Sequence, residues 1–341
     1  MVIFYKEGFT YDSMPKIGKC NVSVVSKAKK SEFVDRLNAV YSSRKIQLIM
    51  DADPGVDDAL AMKIAFESPA VDVRLVCTVA GNVSIDKTTA NALYLTKKYG
   101  GDIPVARGSG SPLSRAATDA SHVHGASGIG GYVIPKHDYV LDSEDGVEST
   151  YSMLRVIGKP TILMTLGPLT NIATLFSRHP DAKRMISRIY AMIASVDGTG
   201  NITEHAEFNA YCDPEALDAV VRSGVEVVFV PMHLGRDARL SQKDILDRSR
   251  GTEFGDMLGE VFSGYEDTAA GEGYVAMYDA NAIEAIIHPE LYDFIRCMAE
   301  VDTGEFRGRT FLRPNENGRF FYIDIKDTDR LAQAMLKDMF P

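Results

Sequence analysis

The stretch Ile46-Gln47-Leu48-Ile49-Met50-Asp51-Ala52-Asp53-Pro54-Gly55-Val56-Asp57-Asp58 runs from apolar residues through an acidic turn into a new periodicity. Ile46 to Met50 is short and apolar, so it reads as a buried strand. Pro54-Gly55 turns the chain, and from about Val56 to Glu67 the apolar residues recur at helical spacing. A buried strand that turns straight into a helix is the unit from which parallel sheets are built.

The same unit recurs along the chain. Strands are expected at Val71 to Val79, Ile103 to Ala106, Thr161 to Leu166, Ile189 to Ser195 and Val225 to Val230. Helices are expected at Lys87 to Lys98, Leu169 to Ser177 and Pro214 to Ser223. This alternation, with strands apolar on both faces, predicts an α/β fold: one large domain with a mostly parallel central sheet flanked by helices. Ligands of such sheets bind outside the carboxyl ends of the strands, which directs attention to the loops after Met50, Val79, Leu166 and Ser195. Two long segments, Gly108 to Gly146 and Met232 to Tyr278, interrupt the pattern and read as lids or insertions. Phe294 to Lys326, with the turn Asn315-Glu316-Asn317-Gly318, reads as a small antiparallel addition, and Thr328 to Met339 as a last helix.

Charge marks a boundary. Residues 1–44 hold eight basic and four acidic residues, so a net charge of −10 over 341 residues divides into a +4 arm and a −14 remainder. Residues 1–44 are therefore expected to be an N-terminal extension, with a helix over Ser31 to Ser42, and residues 45–341 the main domain. The acidic balance argues against a nucleic-acid partner, since phosphate binding draws on surplus Lys and Arg. No apolar run approaches the roughly 20 residues that cross a bilayer, so no membrane partner is expected. Cys20, Cys77, Cys212 and Cys297 are too scattered for a disulfide framework or a metal pair, and a reducing, cytoplasmic setting is expected.

Asp51, Asp53, Asp57 and Asp58 place four carboxylates within eight residues at the end of a buried strand. The dipole of the following helix favours Asp57 and Asp58 by only about 0.3–1 kcal/mol each, too little to offset four mutually repelling charges. A bound cation resolves the conflict, and hard oxygen ligands suit Ca²⁺ or Mg²⁺. The competing reading is helix capping in a solvated loop. A haloacid-dehalogenase-type phosphatase also begins with two aspartates one residue apart. It wants a small hydroxyl residue where this chain has Gly55.

The acidic stretch resembles the DxDxGxDD fingerprint of the nucleoside hydrolase family, the inosine–uridine-preferring N-ribohydrolases. The likeness extends through Val79-Ala80-Gly81-Asn82, His124-Gly125-Ala126-Ser127-Gly128-Ile129-Gly130, Leu166-Gly167-Pro168-Leu169-Thr170-Asn171-Ile172-Ala173, and Glu207-Phe208-Asn209 before Asp213-Pro214-Glu215-Ala216. The resemblance implies the nucleoside hydrolase fold, with a Rossmann-like core. It implies a Ca²⁺ ion held by Asp53, Asp58, Asp279 and the backbone carbonyl of Leu166. Asp53 would also be the general base and Asp57 would bind the ribose 2′-hydroxyl, with Asp51 supporting the cluster. Asn82, Asn201, Glu207 and Asn209 match sugar-binding positions, and His124 one near the base; a turn is the plain alternative for Asn201, close to Gly198 and Gly200.

The resemblance further implies hydrolysis of a small-molecule ribonucleoside to free base and ribose, in nucleoside salvage, by a homodimer or homotetramer. At the position of the family's base-protonating histidine stands Tyr278. A phenol is a poor acid at neutral pH, although its ring can stack on a base. A preference for purine nucleosides is expected. The alternatives are a broad or pyrimidine-directed hydrolase, or a calcium-dependent nucleoside-binding protein without turnover.

Overall fold

The computed structural model describes residues 45–265 and 270–341. The expected N-terminal extension and its helix lie outside the described residues. Among the described residues, eleven strands carry the topology: β1 Ile46–Ala52, β2 Val71–Thr78, β3 Val105–Arg107, β4 Thr161–Thr165, β5 Ile186–Met192, β6 Val227–Val230, β7 Leu240–Ser241, β8 Tyr274–Val275, β9 Tyr292–Val301, β10 Thr310–Pro314 and β11 Phe320–Ile325. All but β7 and β8 form a nine-stranded sheet in the order β10-β9-β11-β6-β5-β4-β1-β2-β3. Strands β3 through β11 in that order pair in parallel, and only β9 runs against the rest. The C-terminal addition is thus antiparallel within itself, but β11 joins it to the main sheet in parallel with β6.

Both sheet faces are buried, which is why the strands read as continuous apolar runs. Leu48 and Met50 of β1 enter one core, with Leu60, Ile64, Ile283 and Met335 from the helices Val56–Glu67, Ala280–Ile287 and Thr328–Met339. Ile49 points the other way, into a second core with Leu154, Ile172 and Leu217 from the helices Gly146–Ile157, Thr170–Arg178 and Pro214–Arg222. The period-two alternation of one strand therefore feeds two helix layers.

The helix Gly146–Ile157 and those within the second long segment exceed the sequence expectation. Asp145 caps the first by accepting from the Glu148 amide, and Gly158 ends it in the left-handed conformation. The segment from Met232 to Tyr278 is mostly folded: it holds the helices His233–Asp237, Gln242–Arg248 and Glu253–Ser263, and a two-stranded ribbon of β7 and β8. No helix among the described residues is long and apolar enough to cross a membrane.

From β1 the chain moves outward through β2 to β3, then returns to place β4 on the other side of β1. This reversal opens a crevice at the carboxyl ends of β1 and β4. The acidic loop follows β1, and Leu166-Gly167-Pro168 follows β4, so sheet order alone brings the two together.

Candidate active site

Asp51 ends within β1, and its carboxylate is buried behind the cluster. Asn171, near the start of the helix Thr170–Arg178, donates to Asp51 Oδ2 at 2.8 Å and to the Thr78 carbonyl at 2.9 Å. Burial lifts the Asp51 carboxyl to about 7, against the Asn171 hydrogen bond. Asn82, after β2, donates its backbone N–H to Asp53 Oδ2 at 2.7 Å, and its side-chain amide to the Asp53 carbonyl and to Asp58 Oδ2. Asp58 Oδ2 also accepts from the Gly55 N–H, so this carboxylate reaches back to the residue that opens its helix.

Asp279 arrives from the far end of the chain. Its carboxylate and those of Asp57 and Asp58 bring oxygens within 4.8 Å of one another, all three buried. Burial pushes Asp53 and Asp279 well above the usual carboxylate range. Repulsion adds to it, from Asp58 and Asp57 on Asp53 and from Asp57, Asp58 and Asp53 on Asp279. Burial raises Asp58 too, partly offset by the Gly55 N–H.

These residues fit a hard cation. Asp53 Oδ1 and Asp58 Oδ1 are buried without a hydrogen-bond partner, a state costly for a carboxylate unless positive charge faces it. The donor set is all oxygen, as Ca²⁺ and Mg²⁺ require. The carbonyl of Leu166 accepts from Asn209 Nδ2 at 2.7 Å, leaving its second lone pair for an ion. The geometry adds Asp57 to the acidic cluster, where the resemblance implied a sugar contact alone.

Glu207, Asn209 and His124 have local duties the sequence did not disclose. The Glu207 carboxylate accepts from the N–H groups of Ala194, Asn209 and Ala210, capping the helix Phe208–Cys212. Burial raises it to about 7. Through that bond it holds Ala194 at φ 83°, the one non-glycine residue with positive φ among the described residues, at the carboxyl end of β5. Such a backbone costs about 1–2 kcal/mol and persists where its surroundings enforce it. Asn209 joins Leu166 O to Met192 O through its amide nitrogen. His124 Nδ1 accepts from the Val56 N–H at 3.2 Å, and burial lowers the ring to about 4, so it is a neutral cap on the helix Val56–Glu67 at pH 7.

Asn201 is exposed, in a turn closed by its own N–H to the Ala206 carbonyl. The structure therefore does not seat it in the buried cluster. Tyr278 is half-buried, next to Asp279, with its ring against Gly235, where a Cβ would lie 2.0 Å from the ring. Asn171 stands inside the Leu166 to Ala173 motif, where nothing local in the sequence sets it apart.

The model of the family described as inosine-uridine preferring nucleoside hydrolase matches residues 48–336. The chain belongs to the nucleoside hydrolase family. Among curated relatives, the non-specific ribonucleoside hydrolase RihC of Escherichia coli O127:H6 is 39% identical over 267 residues, 78% of this chain and 87% of that protein. RihC of Salmonella paratyphi A is 39% identical over 266 residues, with the same shares. Among solved structures, the purine-preferring ribonucleoside hydrolase from Gardnerella vaginalis superposes with a TM-score of 0.79 at 27% identity, over 86% of this chain and 98% of that one. The plant nucleoside hydrolase PpNRh1 superposes with a TM-score of 0.78 at 26% identity, over 87% and 99%. This nucleoside hydrolase is thus a ribonucleoside-cleaving enzyme, and its acidic crevice can hold the metal ion typical of the family.

Proposed function

We propose that this nucleoside hydrolase works with Ca²⁺ and prefers purine ribonucleosides, releasing free base and ribose. The observation that carries the reading is the buried, partnerless Oδ1 of both Asp53 and Asp58 in a crevice at the sheet's switch point. Asp53, Asp58, Asp279 and the Leu166 carbonyl would hold the ion, with Asp57 beside them. When bound, the ion acts as a Lewis acid that makes water more acidic and orients the sugar. Asp53 accepts the proton of the attacking water, because its Oδ1 is not committed to another donor. Asp57 receives the ribose 2′-hydroxyl, and Asn82, Glu207 and Asn209 offer oxygen dipoles to the sugar. Cleavage builds positive charge on the ribose, so these oxygens stabilise the transition state more than the ground state.

Tyr278 and His124 would flank the base, Tyr278 by stacking. The similarity to the purine-preferring enzyme of Gardnerella vaginalis supports the purine reading. A broad-specificity hydrolase is the second reading, favoured by 39% identity to the non-specific RihC enzymes. Ribose release from inosine, guanosine, uridine and cytidine, with and without chelator and with Ca²⁺ or Mg²⁺ restored, separates them. Equal rates on all four would end the purine reading, and full activity in chelator the calcium one. Asp53→Ala should lower kcat roughly 10²–10⁴-fold, the range for a lost general base. The same reading carries a cytoplasmic role in nucleoside salvage, as a homodimer or homotetramer that light scattering would weigh.

A further inference from the structure

The helix Ala280–Ile287 follows Asp279 of the active site and leads, at its other end, to a second group of ligand-bearing side chains. Glu284 is fully buried, and neither oxygen of its carboxylate has a hydrogen-bond partner. One of those oxygens, a ring nitrogen of His288 and a carboxylate oxygen of Asp338 lie within 4.8 Å of one another. Glu284 and His288 are four residues apart and so share a helix face, while Asp338 comes from the C-terminal helix Thr328–Met339. His288 Nε2 lies 2.7 Å from Asp338 Oδ2, and Nδ1 lies 3.2 Å from Glu290 Oε1. The side chains of His288 and Asp338 are 34% and 21% exposed, so the cluster is reachable from solvent.

A buried carboxylate without a donor is costly unless neutralised. The charges acting on Glu284 are Asp338, His288 and Glu290, an acidic excess. We propose that Glu284, His288 and Asp338 form a second cation site, for a divalent first-row transition ion such as Zn²⁺, that ties the helix Ala280–Ile287 to the C-terminal helix. The imidazole separates this site from the active-site cluster: Ca²⁺ takes oxygen ligands, whereas one nitrogen with two carboxylates and a water suits tetrahedral Zn²⁺. Nε2 faces Asp338 and serves as the ligand. Nδ1 is held by Glu290, the carboxylate–histidine–metal arrangement that orients such rings.

Equilibrium dialysis against Zn²⁺, and visible absorption with Co²⁺, test the site on the full chain with excess Ca²⁺ present. One Zn²⁺ per chain is expected, with a rise in the thermal midpoint on adding Zn²⁺. Both effects should be lost in Glu284→Gln and in Asp338→Asn, the latter on a partly exposed helix face that tolerates the change. Both should persist in Asp58→Asn, and Glu290→Gln should weaken binding at least roughly tenfold. The proposal is overturned if no ion binds, if Glu284→Gln and Asp338→Asn bind as the parent does, or if Asp58→Asn removes the ion.

Discussion

Asp53 is confined between two glycines that the fold brings from different loops. A Cβ on Gly81 would lie 2.0 Å from Asp53 Oδ2, and one on Gly167 would lie 2.5 Å from Oδ1. Either must push the carboxylate out of place. Gly81→Ala should therefore cut kcat/KM by about 10²-fold, the scale of a misplacement near 1 Å, while costing about 1–3 kcal/mol of stability through overpacking. Steady-state kinetics beside urea unfolding would check this, and near-parental activity would refute the confinement. At this scale the aspartates were legible, because four carboxylates after a buried strand conflict with local physics. Glu207 and Asn209 were legible only as positions. Their hydrogen bonds to Ala194 N–H and Leu166 O join chain segments that nothing local relates.

Individual elements follow their local chemistry where the apolar periodicity is plain. The helix Val56–Glu67 and the helix Thr328–Met339 have the bounds expected from their patterns. β5 ends at Met192 rather than Ser195, because Ala194 turns into the left-handed region to meet Glu207. The helix Gly146–Ile157 is not legible locally although Asp145 and Gly158 bracket it, since it follows a long Gly- and Ser-rich segment that masks its start. Between elements, Asn171 is the tie. Its amide nitrogen bonds Asp51 of β1 and Thr78 of β2, and its Oδ1 accepts from Ser109 N–H after β3. Asn171→Ala leaves those buried groups unpaired and should destabilise the protein by about 2–4 kcal/mol. Denaturant titration reads the loss directly, and a change within about 0.5 kcal/mol would show that the tie is dispensable.

The molecule as a whole should respond to pH in the direction opposite to simple acid denaturation. Burial raises Glu207 from 4.5 to about 7 and Glu284 from 4.5 to about 8, and the Asp338 hydrogen bond raises His288 from 6.5 to about 9. Above the ordinary values and below the raised ones, the folded chain holds more protons than the unfolded chain, so stability falls as pH rises. His124, lowered from 6.5 to about 4, works the other way below pH 6.5, so in chelator the thermal midpoint should decline from about pH 6.5 to pH 9, and a midpoint that climbs over this window would contradict it. By itself the sequence determined the strand–helix alternation, the class of fold and an acidic strand end with oxygen ligands that could hold a cation, because these rest on neighbours a few residues apart. Only the tertiary structure decided that Asp57 joins Asp58 and Asp279 in one buried cluster, that Asn171 stands behind Asp51, and that Asp338 faces Glu284. Those meetings depend on the order of strands in the sheet and on how helices lie across it, which no local stretch encodes.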